Sequence, residues 1–483
     1  MKRRDFLKVL ASGASAVVTY GPLSLRAISQ PAASPLNKIN HFVVLMLENR
    51  SFDNMLGALG RFYDAPSQFD GLSGTEYNST EAGQVVQVNN VPGTGSNALG
   101  IPYANPGEKW IDINEQLFGT YPDPPSNATP TMGGFVKNYM RHNSQFEPRD
   151  PKHVMHYFTP DQVPVLSRLA LEFAVCDRWF ASAPCQTWPN RFFMHAGTAK
   201  DIAHPDALGY EDNKYQYSAA PVLAPISWFS WLISWVLPSY GRPPTLAFSS
   251  PTIFSKLQKA IPKNQWKIYW TDFSHASTMQ EVLDQLNNQM FGKADVQFLN
   301  YSQFLDDCKG GALPAYSFIE PSFEFDANDQ HPPRELPAGE RLIAEIYNAL
   351  RNGPRSQWLS TMFIIIYDEH GGLYDHVPPP VAVSPDATRT QPFNFDRYGV
   401  RVPAVLVSPY IKPRTILRPP PGARYPFDHT SIIATLRKRF VLGDPLSARD
   451  AAAPDLEGVL NLEGPTNLGP DSLAAGDASW FAR

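Results

Sequence analysis

Three stretches of the chain are almost continuously apolar over the length of a β-strand. They are HFVVLML at 41–47, MFIIIY at 362–367 and VPAVLVSPYI at 402–411. Unbroken apolar runs, as opposed to runs that alternate with polar residues, are typical of strands covered by helices on both faces. The three runs therefore predict strands of a central sheet.

Apolar residues recur with the period of a helix in the segments that surround these runs. Residues 337–353 and 428–440 carry aliphatic side chains at every third or fourth position. Asp428 or Thr430 is the expected N-cap of the second helix. Strands that alternate with helices predict an α/β fold with a mainly parallel central sheet flanked by helices.

Polar side chains follow two of the predicted strands at the point where each strand ends. Glu48 and Asn49 come after the first run, and Asp368 and Glu369 come after the second. In parallel sheets the ligand crevice lies beyond the carboxyl ends of the strands. If the two strands are neighbours, four oxygen-bearing side chains converge there, which is the outline of a site for a hard cation. The alternative is that each pair simply begins a polar loop.

Two regions lack a periodic pattern. Residues 59–135 are rich in glycine, proline, asparagine and serine and are expected to form a long loop region. Residues 446–483 are rich in proline, alanine and glycine and are expected to form a peripheral C-terminal tail. The catalytic domain is expected to span residues 34–445.

A tryptophan-rich insertion occupies residues 220–238 and carries no charged side chain. Prolines within it limit any helix to about twelve residues, which is too short to span a bilayer. Contact with a membrane surface through Trp228, Trp231 and Trp235 is one interpretation. Packing against the body of the protein or against a partner subunit is the other.

The N-terminus has the features of a twin-arginine export signal. Arg3 and Arg4 precede a short, weakly apolar run that ends near Leu23. We therefore expect residues 1–33 to be a signal peptide, the export machinery to be a partner, and the mature protein to be periplasmic or secreted. A plain basic start of a cytoplasmic protein is the alternative.

Composition excludes several classes of protein. The 483 residues are 43% hydrophobic and 18% charged, with a net charge of −5 and no basic block. Disorder and nucleic-acid binding are therefore not expected. Cys176 and Cys185 could pair in an oxidising compartment, but three cysteines do not make a disulfide framework. We expect them, with Cys308, to be small buried side chains.

The motifs of the chain, taken in order, resemble one family. They are HFVVLMLENRSFDNMLG, SAPCQTWPNRFFMHAGTA, NDQHPP, YDEHGGLYDHVPPP, GVRVPAVLVSPYIKP and FDHTSIIATLRKRF. Together they resemble the bacterial phosphoesterase family that contains phospholipases C and related acid phosphatases, over residues 38 to 443. The resemblance implies an alkaline-phosphatase-like fold.

The resemblance also implies a role for each matching position. Metal ligands are expected at Glu48, Asn49, Asp368 and Glu369, with Thr187 as the nucleophile at the metal. The histidines expected to line the site are His331, His370, His376 and His429. Asn190 and Arg191 are candidate phosphate contacts, although Arg191 could equally pair with a core carboxylate.

The chemistry of these residue types suits phosphoester hydrolysis. A bound divalent cation activates a threonine hydroxyl and neutralises phosphoryl oxygens, so Thr187 could form a phosphothreonine intermediate. His376 or His429 is the expected proton donor to the leaving oxygen. The cation could be calcium, magnesium, manganese, zinc or iron, because oxygen ligands do not distinguish among them.

We expect an exported phospholipase C that acts on phosphatidylcholine-type lipids. The first alternative is an acid phosphatase that uses the same site on soluble phosphomonoesters. A non-catalytic binding protein is disfavoured because every expected position holds a competent residue. A sulfatase is disfavoured because Pro189 lies four residues after Cys185, which does not fit the Cys/Ser-x-Pro-x-Arg spacing.

Overall fold

The computed structural model describes residues 34–482 except 64–67, 121–127, 202–211, 214–247, 273, 280, 283, 286–288, 290–296 and 388–392. The predicted export signal at 1–33 lies outside the described residues, and so does the predicted tryptophan-rich insertion at 220–238. Both stay predictions. Residues Pro35–Arg483 form one compact unit. Within the described parts of the chain, no helix is both long enough and apolar enough to cross a membrane.

Ten strands are present in the described residues. In chain order they are β1 (His41–Leu47), β2 (Tyr77–Ser79), β3 (Val85–Gln87), β4 (Ala174–Val175), β5 (Trp266–Trp270), β6 (Phe298–Asn300), β7 (Tyr316–Ile319), β8 (Thr361–Tyr367), β9 (Ala404–Val407) and β10 (Thr415–Ile416). Eight of them form a central sheet in the order β10–β4–β9–β8–β1–β7–β5–β6. Strand β9 runs antiparallel to β8 and β4, and the other pairs are parallel. The predicted α/β fold with a mainly parallel sheet is confirmed.

Twelve α-helices accompany the strands in the same residues. They are α1 (Phe52–Leu56), α2 (Ser96–Leu99), α3 (Trp110–Phe118), α4 (Phe135–Arg141), α5 (Pro164–Glu172), α6 (Thr187–Ala196), α7 (Ile253–Ala260), α8 (Tyr301–Gly310), α9 (Pro337–Asn352), α10 (Arg355–Trp358), α11 (Thr430–Phe440) and α12 (Ala448–Ala452). The two predicted helices correspond to α9 and α11. The N-cap of α11 is His429, between the two expected residues, and Asp428 instead accepts a hydrogen bond from the Thr430 hydroxyl.

The long apolar runs are buried on both faces, as the unbroken pattern predicts. Every residue of β8 and all of β1 after His41 are buried. The region 59–135, predicted to be loop, contains β2, β3, α2 and α3. Its helix α3 packs with α4 in a separate apolar cluster that includes Ile113, Leu117 and Phe135.

The C-terminal segment after residue 445 is packed into the body of the protein and is not a peripheral tail. Leu456 and Val459 belong to the main core. The Arg449 side chain is buried and donates hydrogen bonds to the Ser182 and Val383 carbonyl oxygens, both at 2.6 Å. A few well-placed apolar residues suffice to dock this segment of otherwise loop-like composition. The three cysteines are buried, as predicted.

Candidate active site at the carboxyl edge of the sheet

Three acidic residues stand at the ends of three adjacent strands. Strands β1 and β8 pair in parallel with Leu47 opposite Tyr367. Glu48 and Asp368, the first residues after these strands, therefore lie side by side. Strand β7 lies on the other side of β1 and is followed at once by Glu320. The structure thus brings together the two predicted strand ends and adds a third.

Arg191 lies among these carboxylates. Its guanidinium nitrogens lie 3.2 Å from Glu48 Oε1, 3.7 Å from Glu320 Oε1 and 3.7 Å from Asp368 Oδ2. Of the two interpretations of Arg191, pairing with core carboxylates is the one the structure shows. Arg191 follows Thr187 by four residues in α6, so both side chains project from the same face of the helix. Thr187, the first residue of α6, therefore lies one turn from the acidic cluster.

The cluster holds more carboxylates than cations to balance them. Burial, followed by the negative charge of Glu48, raises the pKa of Asp368 to about 7. Burial and the charges of Glu108 and Asp368 raise the pKa of Glu369 well above its usual range. Burial also raises the pKa of Glu108. Such crowding of buried carboxylates is stabilised by an added positive charge.

Several oxygens at the strand ends have no hydrogen bond. Among the described residues, they include Asn49 Oδ1, Asp368 Oδ2 and Glu369 Oε1, and all three atoms are buried. Asn49 has a left-handed backbone with φ 58°, and its backbone N–H donates to Asp368 Oδ1 at 3.0 Å. The pKa of Glu108 is raised overall by burial, and the nearby Asn49 amide opposes part of that rise. The amide makes no hydrogen bond of normal geometry. Buried oxygens without partners are what a cation site requires.

The glycine pair after the second strand end has a steric cause. Gly371 and Gly372 have φ of 63° and 66°, a region that other residues adopt at a cost. A Cβ on Gly371 would lie 2.2 Å from the Asn49 carbonyl oxygen. The turn therefore brings the segment after Asp368 and Glu369 directly against the segment after Glu48.

A cavity of about 320 Å³ opens beside this cluster. Its lining includes two histidines, His275 and His331, and Glu48. The other lining residues are Phe323, Glu324, Pro332, Pro333 and Arg334. His275 Nε2 lies 3.3 Å from Glu48 Oε1, and its Nδ1 accepts a hydrogen bond from Trp188 Nε1 at 2.9 Å. His331 Nε2 lies 3.6 Å from Glu108 Oε1. His331 Nδ1 lies 2.6 Å from the Pro332 carbonyl oxygen, so both rings are held in place at the edge of the cavity.

Charged neighbours shift the pKa values of Glu48 and His331 in the direction opposite to the effect of burial. Burial raises the pKa of Glu48, but the hydrogen bond from His275 and the charge of Arg191 lower it to about 2. Burial lowers the pKa of His331, but the charges of Glu108 and Glu48 bring it above its usual value. Glu48 is therefore ionised, and His331 is suited to carry a proton.

Two of the predicted site histidines have structural partners. His429 Nε2 donates to the Asp368 carbonyl oxygen at 2.7 Å, and its Nδ1 accepts from Trp179 at 3.3 Å. Burial lowers its pKa to about 4, so it is neutral and holds the end of β8. His370 Nε2 lies 2.8 Å from Gln116 Oε1, and burial lowers its pKa to about 3. The expected role of His429 as proton donor is not supported, because both ring nitrogens are engaged.

Asn190 shapes the loop that precedes Thr187. Its side-chain oxygen accepts from the Ala183 backbone N–H at 3.0 Å, and its amide donates to the Cys185 carbonyl oxygen at 2.8 Å and to that of Gln186 at 3.1 Å. Because the amide is committed to the backbone, the expected phosphate contact of Asn190 is replaced by a positioning role.

His376 lies in a second charged cluster and does not line the cavity. Its Nδ1 is 2.7 Å from Asp53 Oδ2 and its Nε2 is 3.2 Å from Asp70 Oδ1. Arg401 is 3.0 Å from Asp53 and 2.9 Å from Asp375. The expected role of His376 as proton donor is not supported, because its ring faces two carboxylates of other segments.

This second cluster is also a group that could hold a metal ion. In the described chain, Asp53, Asp375 and His376 each offer one ligand atom, and these atoms lie within 4.8 Å of one another. Arg401 already neutralises both carboxylates, so its positive charge opposes a cation there. Arg191 lies among the carboxylates at the strand ends too, but they outnumber it and several buried oxygens there have no hydrogen bond, so the strand ends fit a metal better.

The charge of His376 predicts a pH-dependent contribution to stability. Burial lowers the pKa of His376, but hydrogen bonds to Asp53 and Asp70 raise it from 6.5 to about 10. Its contribution is therefore fully present below pH 6.5 and is lost as the pH rises through about 10. We expect His376→Gln to lower the free energy of unfolding by about 2 kcal/mol at pH 6. The deficit should shrink towards pH 10.5 in urea titrations.

His142→Gln is the matched control for this prediction, because it replaces a histidine on the surface. It should change the free energy of unfolding little at either pH. A deficit in His376→Gln that is equal at pH 6 and pH 10.5 would contradict the charged interaction with Asp53 and Asp70.

Sequence reasoning missed several residues of this site. Glu320 could have been found, because it directly follows an apolar strand just as Glu48 and Asp368 do. His275 begins a short 3-10 helix and Glu108 lies in an irregular segment, both far from any quoted motif, and no periodic pattern marks them. They reach the site only because separate segments fold over the same sheet edge.

The amino-acid sequence is similar to those of known phosphoesterases. The profile of the Phosphoesterase family matches residues 39–443. The chain is 35% identical to non-specific phospholipase C3 of Arabidopsis thaliana, covering 92% of this chain and 76% of that protein. It is 26% identical to non-hemolytic phospholipase C of Burkholderia pseudomallei, covering 94% and 65%. The solved structure of a 2-O GAG sulfatase covers 62% of this chain and 68% of that one, at 10% identity and a TM-score of 0.34.

Proposed function

The chain belongs to the Phosphoesterase family and is a hydrolase of phosphoric esters, and from that premise we propose that it is a metal-dependent phospholipase C. The substrate would be a phospholipid of the phosphatidylcholine type, cleaved to diacylglycerol and a phosphorylated headgroup. One observation carries the proposal. The two predicted acidic strand ends, the helix that begins at Thr187 and a cavity with two histidines meet at one edge of the sheet.

The strand-end residues fit a divalent cation. Glu48, Asn49, Asp368 and Glu369 would hold it, with the Thr187 hydroxyl beside it. The fit rests on the buried oxygens of Asn49, Asp368 and Glu369 that have no hydrogen bond, and on the raised pKa values of Asp368 and Glu369. When bound, the ion lowers the pKa of the threonine hydroxyl and neutralises phosphoryl oxygens. Its identity stays open among calcium, magnesium, manganese, zinc and iron.

The residues of the chain divide the reaction between them. Thr187 Oγ would attack phosphorus, and the carboxylates around Arg191 would provide acceptors for the hydroxyl proton. His275, held by Trp188 and Glu48, would line the phosphate side of the cavity. His331 would protonate the leaving glycerol oxygen and later take a proton from the water that hydrolyses the phosphothreonine. His275 thus takes the phosphate-facing place expected of His370, and His331 takes the proton-donor role expected of His376 or His429.

A substrate panel tests the proposal. We expect the purified protein, after its metal content has been measured, to hydrolyse phosphatidylcholine and p-nitrophenylphosphorylcholine, and to lose both activities after chelation. The lipid products should be diacylglycerol and phosphocholine. Activity confined to p-nitrophenyl phosphate would identify an acid phosphatase with the same site. Phosphatidic acid and free choline as products would contradict a phospholipase C.

A further inference from the structure

One wall of the cavity is formed by the loop between β7 and α9, and this loop carries a large exposed apolar side chain. Phe323 lines the cavity, and its ring lies 4.5 Å from the His275 ring and 5.4 Å from the Arg191 guanidinium. Phe325, two residues further on, is 76% exposed. Of the exposed large apolar residues in the described chain, Phe325 is the one that shares a loop with the cavity lining.

The carboxylate of Asp272 accepts three backbone hydrogen bonds from the loop. Asp272 Oδ2 accepts the backbone N–H groups of Glu324 at 2.7 Å and Phe325 at 2.9 Å, and its Oδ1 accepts that of Phe323 at 3.1 Å. Ser322 and Asn328 close the base of the loop through two hydrogen bonds of 2.7 and 3.0 Å. Phe325 is therefore exposed on a loop whose backbone is held by hydrogen bonds.

The volume of the cavity indicates which part of a phospholipid stays outside it during the reaction. At about 320 Å³ it is at the lower end of the volumes that hold drug-sized ligands. It can hold a phosphorylated headgroup, whereas two acyl chains must stay in the lipid layer. Residues at the rim therefore meet the lipid surface when the phosphoester reaches Glu48 and His331.

We propose that Phe325 inserts into the lipid surface and anchors the cavity over the phospholipid headgroups. The proposal rests on the proposed phospholipase activity of the same site. An aromatic ring on an ordered loop loses little conformational entropy when it inserts, and its burial in acyl chains is favourable. Pro332 and Pro333 of the same loop also line the cavity and add apolar surface there.

The test compares Phe325→Ala with the wild type on two substrates that need the same chemistry. One is phosphatidylcholine in vesicles of that lipid alone, and the other is soluble p-nitrophenylphosphorylcholine. We expect the vesicle rate, and co-sedimentation with vesicles, to fall about tenfold, which corresponds to about 1.4 kcal/mol. The rate on the soluble ester should stay within about twofold. Phe325→Trp should restore vesicle binding.

Val441→Ala is the matched control. Val441 is 84% exposed at the end of α11, where it adjoins a different cavity. It should leave both rates unchanged. Equal losses on both substrates in Phe325→Ala, or unchanged vesicle binding, would overturn the proposal. If the wild type hydrolyses neither ester, the proposed function fails, and co-sedimentation of wild type against Phe325→Ala still decides the role of the side chain.

Discussion

Replacing Thr187 by alanine is expected to lower kcat on p-nitrophenylphosphorylcholine by at least about 10⁴-fold. Thr187 begins α6, and Arg191, one turn further on the same face, contacts the strand-end carboxylates. The threonine oxygen is therefore the hydroxyl that α6 brings to the cluster. Without it no covalent phosphoryl intermediate can form. Steady-state kinetics measure the loss, and acid quenching of the wild type during turnover should trap phosphothreonine.

The serine variant separates this role from a structural one. Thr187→Ser keeps an oxygen in the same place and should retain measurable turnover, while both variants should keep the circular dichroism spectrum and thermal stability of the wild type. Substantial turnover by Thr187→Ala would mean that water attacks phosphorus directly. That result would contradict the phosphothreonine intermediate and leave the Phosphoesterase family assignment unchanged.

The central sheet and half of the site follow from local sequence because their determinants are local. Unbroken apolar runs mark strands buried on both faces, and the polar residue after such a run lies at the sheet edge. That rule located Glu48 and Asp368. It applies equally to Glu320, which directly follows β7. Helices α9 and α11 follow equally from their periodicity, within two residues at either end.

The assignment of the histidines could not be read from sequence in the same way. His331, His376 and His429 all lie in motifs rich in charged residues, but the direction in which each ring points depends on residues distant in the chain. Asp53 and Asp70 bind the ring of His376, and Trp179 binds that of His429. His275 enters the site from a short 3-10 helix that carries no motif. Long-range packing therefore decides which histidines face the cavity.

Asp368→Asn is expected to release the metal ion and to lower kcat by about 10³-fold or more, because the loss of a metal ligand costs several kcal/mol of transition-state stabilisation. Asp368 Oδ1 accepts the backbone N–H groups of Asn49 at 3.0 Å and of Glu369 at 2.7 Å. An asparagine oxygen can accept both. The other carboxylate oxygen, which has no hydrogen bond, becomes an amide that cannot ligate a cation.

Stability distinguishes a ligand from a structural residue here. In the metal-free protein, Asp368 is a buried carboxylate whose pKa is raised to about 7 by burial and by Glu48. Its removal relieves repulsion, so metal-free Asp368→Asn should melt at or above the temperature of the metal-free wild type.

Glu320→Gln is the matched control: Glu320 is also buried at a strand end beside Arg191, but it is outside the expected ligand set. Metal content by mass spectrometry should fall in Asp368→Asn and persist in Glu320→Gln. Full metal content and activity in Asp368→Asn would move the metal away from the strand ends and leave Asp53, Asp375 and His376 as its site.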